Sequence, residues 1–179
     1  EQRAVAKMQS YDFYNSKRPT VNRELSELDF SKGKLGTFFL GKHYREVYNA
    51  ELEIPVLDLA TFEGGVFPVQ MGGGFQTNSL RLEGKTGKQY TMRSVDKDAT
   101  KTVPYAFSNS VVTTALKDFF SSAHPLSALP IPIMADAIGV YHTNPKLYYV
   151  PRQPNLQEFN ELYGDALYLV EERPDDDVW

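Results

Sequence analysis

The clearest pattern in the chain is an alternation of apolar and polar positions between Val66 and Asp96. Val66–Met71 reads as a first strand and runs into three consecutive glycines, Gly72, Gly73 and Gly74. In Phe75–Leu82, Asn78, Leu80 and Leu82 fall on one face and Ser79 and Arg81 on the other, the period of two that marks a half-buried strand. Glu83–Lys88 (EGKTGK) is polar, carries two glycines and predicts a hairpin turn. A third strand, from Gln89 to about Asp96, sets Thr91, Arg93 and Val95 on one face and Tyr90, Met92 and Ser94 on the other. If the extended geometry persists, Lys97 joins the face of Arg93.

Beyond Asp98 the period changes. Val111, Val112, Ala115, Leu116, Phe119, Phe120 and Ala123 recur at helical spacing, with Ser108 or Asn109 as N-cap and Pro125 as the stop. Ala128–Val140 reads as a second, largely buried helix, Lys146–Val150 as a strand and Asn155–Gly164 as a short amphipathic helix with a glycine stop. Ala166–Glu171 is the last strand. Upstream, Ala50–Ala60 carries Pro55 and predicts an edge strand or a wrapping arm. Glu1–Asn22 has no sustained period, so it reads either as a short helix over Glu1–Tyr14 or as an extended tail. The order of strands, two helices, strand, helix and strand is that of an α+β protein, an antiparallel sheet with helices packed on it.

Composition narrows the function classes. The 41% of hydrophobic residues is enough for a core, and a net charge of −4 argues against general nucleic-acid binding. No apolar run is long enough for a membrane-spanning helix, so direct membrane insertion is not expected. With no cysteine there are no disulfides and no thiolate metal sites. His43, His124 and His142 lack metal-ligand spacing; His43 reads first as a hydrogen-bonded residue, and His124 falls in the last turn of the predicted helix, where a cation suits the dipole. Asp175, Asp176 and Asp177 read as a solvated acidic tail. Gly84–Thr86 (GKT) is not a phosphate-binding P-loop, because Ser79 stands where that motif needs glycine and no helix pattern follows.

The candidate chemistry lies in the first alternation. A glycine-rich connection lets backbone N–H groups approach an anion, and a cation on a neighbouring strand supplies charge. The plainer alternative is a bulge at the glycines and an Arg93 paired with a surface carboxylate. Asp118, beside the apolar stripe of the predicted helix, is an acid that can reach a strand cation or simply face solvent.

Three strands with a glycine-rich first connection, a basic residue on the third strand and a following amphipathic helix resemble the small, N-terminal lobe of a protein-kinase-like fold. ALYLVEERP resembles the strand that leads into the hinge between lobes. More specifically, GGGFQTNSLRL, YTMRSVDKD, SSAHPLSALPIPIMADAIGVYHTNPKLYYVP and LYLVEERP are similar to segments of large exported bacterial proteins. Those proteins combine a calcineurin-like metallophosphoesterase domain, a region of this kind and often an outer-membrane β-barrel.

The resemblance implies a tail or linker over 1–34, a module over 35–174 and an acidic tail at a lobe boundary over 175–179. It implies that Gly72, Gly73 and Gly74 cover phosphates, that Arg93 or Lys97 takes the role of the strand-three cation, and that Asp118 is its helix partner. The glycine pattern is GGG rather than GxGxxG, Arg93 replaces a lysine and Asp118 a glutamate; HRD, DFG and GDxHG motifs are missing. The implied chain is therefore a fragment of an exported, periplasmic or outer-membrane-associated protein, non-catalytic alone and without a cofactor of its own. It would contribute a lobe covering phosphate or a nucleotide held by the parent, with the rest of the parent polypeptide as partner. The alternative is an interaction or spacer module between a phosphoesterase and a membrane barrel.

Overall fold

The computed structural model describes residues 13–26, 33–72, 78–96, 119 and 121–174. Its centre is a five-stranded antiparallel sheet built from β3 (Val66–Gly72), β4 (Ser79–Gly84), β5 (Gln89–Ser94), β6 (Lys146–Val150) and β7 (Ala166–Arg173). The spatial order is β3-β4-β5-β7-β6, so the last strand enters between two that precede it in the chain. The first three strands form the expected meander, with register Leu80↔Met92 and Leu82↔Tyr90 between β4 and β5. A two-stranded antiparallel sheet stands beside it, β1 (Thr20–Glu24) paired with β2 (Glu51–Pro55).

The alternation read from the sequence decides which face is buried. Leu80, Leu82 and Met92 are wholly buried, and with Val66, Tyr90, Val150, Tyr168 and Val170 they form the main core. Leu57, Leu59, Leu156 and Tyr163 close over that face. Part of the opposite face is covered by a second cluster in which Leu25 and Ile54 meet Val95, Tyr149 and Leu167. Burial lifts the Tyr149 phenol to about 12, with Asp165 adding to the shift, so the hydroxyl stays protonated and donates to Asp165 Oδ1 at 3.2 Å.

Several elements depart from the sequence reading. Thr20–Glu24 falls in the expected tail or linker, yet it is a strand paired along its length to β2, and Leu25 behind it is buried. Paired to β2, the segment satisfies its backbone and supplies apolar contacts that its irregular pattern did not announce. The stretch around Phe38 and Tyr44, given no element from sequence, forms α1 (Lys34–Leu40) and α2 (Arg45–Tyr48). The expected helix over Ala128–Val140 is α3 (Ile131–Ile138), but it is not largely buried: Ile133 and Ile138 are each 75% exposed, and only Pro132 and Ala135 are buried. An apolar composition on every side marks a helix without naming the surface that covers it.

The expected helix over Asn155–Gly164 is instead a 3₁₀ segment, Pro154–Phe159, kinked within itself at Gln157 (φ 52°), followed by a short α4, Asn160–Tyr163. Gly164 stops it as expected, because a Cβ there would stand 2.7 Å from the carbonyl oxygen of Asn160. The predicted stripe from Val111 lies outside the described residues apart from Phe119, which is helical and exposed, and a turn over 121–122. No helix among the described residues is long and apolar enough to cross a membrane.

The two segments that close the core are joined by one buried side chain. Gln153 is 0% exposed; its Oε1 accepts from Leu59 N–H at 2.7 Å and its Nε2 donates to Leu57 C=O at 2.9 Å. Asn160 returns the pattern, accepting from Gln153 N–H and donating to Gln153 C=O, both at 2.9 Å. Replacing Gln153 with alanine leaves two buried backbone groups without partners, at about 1–3 kcal/mol each. Gln153→Ala should therefore lower the unfolding free energy in urea by about 2–4 kcal/mol; a loss below about 0.5 kcal/mol would show that these contacts do not hold the core closed.

Candidate functional site

The face of the sheet opposite the main core carries the charged residues. Cross-strand register places Gly72 opposite Ser79, Ser79 opposite Arg93, and Arg93 opposite Leu169. The adjacent row runs Gln70, Arg81, Thr91 and Glu171. Because side chains alternate, Ser79, Arg81, Thr91, Arg93, Glu171 and Arg173 project from this one face. They line an open cleft of about 410 Å³, bounded at its far end by Thr143 and Pro174.

Within the cleft Arg93 Nε lies 3.2 Å from Glu171 Oε1, with the arginine side chain 60% exposed and the glutamate 18%. The other carboxylate oxygen of Glu171 accepts from Thr143 Oγ1 at 2.7 Å, so the acid is held on both sides. Arg81 Nη1 donates to the neutral amide oxygen of Gln70 at 2.9 Å, and Arg173 Nη1 donates to that of Gln89 at 3.3 Å. Glu172, the second acid at the rim, is paired with Lys88 at 3.2 Å. Three guanidinium groups thus share a cleft in which Glu171 is the carboxylate held between them. Guanidinium is planar and permanently charged, and its fork of donors matches phosphate and carboxylate oxygens.

Of the residues singled out in the sequence, Gly72 and Arg93 share one row, with Ser79 on the strand between them, about 10 Å apart by ordinary strand spacing. A Cβ at Gly72 would stand 2.8 Å from Ser79 Oγ, so any side chain there forces the neighbouring hydroxyl to move. Gly73, Gly74, Lys97 and Asp118 lie outside the described residues. Val95, on the face of Arg93 by alternation, is 4% exposed and belongs to the second core cluster. It does not wall the cleft.

Arg81, Glu171, Arg173 and Thr143 are the cleft residues that sequence reasoning missed. The alternation already put Arg81 away from the core. Glu171 and Arg173 needed the pairing of β5 with β7, which nothing local in either strand specifies.

Among the described residues no group of three or more histidine and acidic side chains could hold a metal ion. His43 and His124 are both hydrogen-bonded: His43 Nδ1 lies 3.0 Å from Ser121 Oγ, and His124 Nδ1 accepts from Leu126 N–H at 3.1 Å. His142 is placed differently, with Nε2 2.9 Å from Asp136 Oδ1 and Nδ1 2.9 Å from Thr143 C=O. Two acceptors facing both ring nitrogens favour the doubly protonated imidazolium, and the pKa is raised from 6.5, chiefly by the hydrogen bond to Asp136.

Two outcomes follow from this geometry. The Arg93 side of its pair with Glu171 is open to solvent, and Glu171 keeps its Thr143 partner without it, so Arg93→Ala should change unfolding free energy by no more than about 1 kcal/mol, read by urea denaturation. A larger loss would make Arg93 a structural residue. The His142 tie between α3 and the segment before β6 is at full strength below pH 6.5 and is lost as the pH rises through the raised value. An NMR titration should place His142 above 6.5 and move it back toward that value in Asp136→Asn; equal titration in both proteins would exclude the tie. No family model, no curated protein and no solved structure matches this chain.

Proposed function

We propose that this chain is a non-catalytic, kinase-small-lobe-like module of a larger exported bacterial protein, and that its arginine-rich sheet face covers a phosphate-bearing group. The observation that carries the reading is the convergence of Arg81, Arg93 and Arg173 on one open cleft. The strand order supports it as well. The third strand of the meander, β5, bears Arg93 and pairs directly with the final strand, β7, so the strand-three cation and the strand likened to the hinge-leading one line one cleft.

Phosphate itself is the better ligand class than a nucleobase. Apart from Pro174 the cleft is lined by polar and charged side chains, and Val95 is committed to the core. The described residues therefore supply charge and donors for an oxyanion and no apolar wall for a flat base. Glu171 pairs with Arg93, and a phosphate entering the cleft exchanges with that carboxylate for the same guanidinium.

A second reading, an interaction module, is favoured by α3, whose Ile133, Met134 and Ile138 are exposed. Binding then resides on α3 rather than in the cleft, and the same experiment separates the two. Pyrophosphate titrated calorimetrically into the 179-residue chain at low salt should bind, and binding should weaken as salt rises. Arg93→Ala and Arg81→Ala should each cost about tenfold or more in affinity, the worth of one charge-assisted contact. Absence of binding to the wild-type chain, or equal affinity in both variants, would overturn the phosphate reading and leave the interaction module.

A further inference from the structure

A second cleft, larger than the one on the arginine face, lies beside it. It opens against the core face of the same sheet, measures about 920 Å³ and adjoins the arginine cleft, with which it shares Thr143, Glu171, Glu172, Arg173 and Pro174. Its aromatic lining comes from Phe62, Tyr90, Tyr148 and Tyr141. Tyr90 is 4% exposed, while Tyr141 is 80% exposed at the mouth of the cavity. The volume lies within the usual range for small-ligand sites, about 300–1,000 Å³.

The backbone holds an acid at this mouth at some cost. Glu63 adopts φ 49°, ψ 36°, and is followed by Gly64 and Gly65 with φ of 80° and 104°. A non-glycine residue in the left-handed region is uncommon and clusters at sites that use it. The turn is nonetheless tightly hydrogen-bonded: Phe62 N–H donates to Asp58 C=O at 2.9 Å and Gly65 N–H to Phe62 C=O at 2.8 Å. Across the cleft stands Lys146, and neither Glu63 nor Lys146 makes an ion pair among the described residues. Of the other charges in the lining, Lys88 pairs with Glu172 at 3.2 Å, His142 with Asp136 at 2.9 Å and Glu171 with Arg93 at 3.2 Å, while Arg173 donates to the Gln89 amide at 3.3 Å.

The lining carries both signs of charge, with Glu63 beside Lys146 and Arg173. Phe62 stands at 73° to Tyr90 and at 74° to Tyr148, so these rings meet edge to face. Such a lining suits a neutral molecule with an apolar face for one ring at a time and a hydroxyl edge for a carboxylate, an ammonium and the Asn144 amide. We infer that this cleft binds a saccharide, with Tyr141 and the aromatic floor stacking on pyranose C–H faces and Glu63, Asn144 and Lys146 hydrogen-bonding its hydroxyls.

The test uses the whole chain and three trisaccharides of different linkage: cellotriose, chitotriose and maltotriose. Saturation-transfer NMR should show contact with at least one, and a calorimetric or chemical-shift titration should give its affinity. Tyr141→Ala should weaken that affinity about tenfold while Tyr141→Phe, which keeps the ring, retains it. Glu63→Gln should weaken it too, and Arg93→Ala should leave it unchanged, which separates this site from the phosphate cleft. Tyr141 is exposed, so its loss does not threaten the fold. No transfer to any of the three sugars, or wild-type affinity in both Tyr141→Ala and Glu63→Gln, overturns the assignment.

Discussion

One buried amide organises this molecule. The side chain of Gln153 spans two segments distant in sequence, giving an acceptor to Leu59 and a donor to Leu57 in a place that water does not reach. Hydrogen bonds in such surroundings are individually modest but costly to leave unmade, so a fully satisfied pair selects one arrangement over nearby alternatives. With Leu57 and Leu59 fixed, Leu59 C=O accepts from Val66 N–H at 2.8 Å, and β3 starts in register. The same arm carries Phe62 and Glu63 to the aromatic cleft. Asn160 repeats the device one step further along, holding the loop after β6 by both its atoms. Core closure and the shape of the larger cleft therefore depend on the same few polar atoms.

The sheet separates two kinds of surface by parity alone. Even positions along β4 and β5 bury Leu80, Leu82, Tyr90 and Met92, and odd positions present Ser79, Arg81, Thr91 and Arg93. An odd-numbered face this rich in arginine would repel itself if sealed from solvent; left open, it is screened by water and salt. Glu171 offsets part of the charge and is itself held by Thr143, the residue after His142. The helix α3, the histidine, the threonine and the arginine cleft are therefore linked through short contacts. Thr143 thus contacts both His142 and the acid that partners Arg93.

Much of this architecture was legible because it is local. The period of two in β4 and β5, the polar hairpin between them and the strands at Lys146 and Ala166 each follow from neighbouring residues, and so does the face on which Arg81 and Arg93 stand. What was not legible depends on pairing at a distance. Thr20–Glu24 has no strand pattern of its own and is extended because β2 offers it a ladder. Gln153 looks like any surface glutamine in PRQPN until the Leu57 segment is folded over it. Ile131–Ile138 has the composition of a core helix, and composition does not say which of its apolar side chains stay exposed, as Ile133 and Ile138 do. Glu171 enters the arginine cleft only through the β5–β7 register. For the glycines after Gly72, for Lys97 and for Asp118, the described residues are silent.

The spatial order β3-β4-β5-β7-β6 has a consequence for how the chain is made. β5 and β6 are neighbours of β7 and not of each other, so each keeps a bare edge until residues 166–173 emerge from the ribosome. At synthesis rates of about 5–20 residues per second, the edge of β5 waits on the order of several seconds before its partner exists. Bare edges of this kind recruit other strands, and long-range pairing is the slow part of folding. Arg93 sits on β5, and a charge there keeps a waiting strand from stacking against a second nascent copy. The strand whose arrival completes the sheet also carries Glu171, so the carboxylate reaches Arg93 only when the sheet is closed.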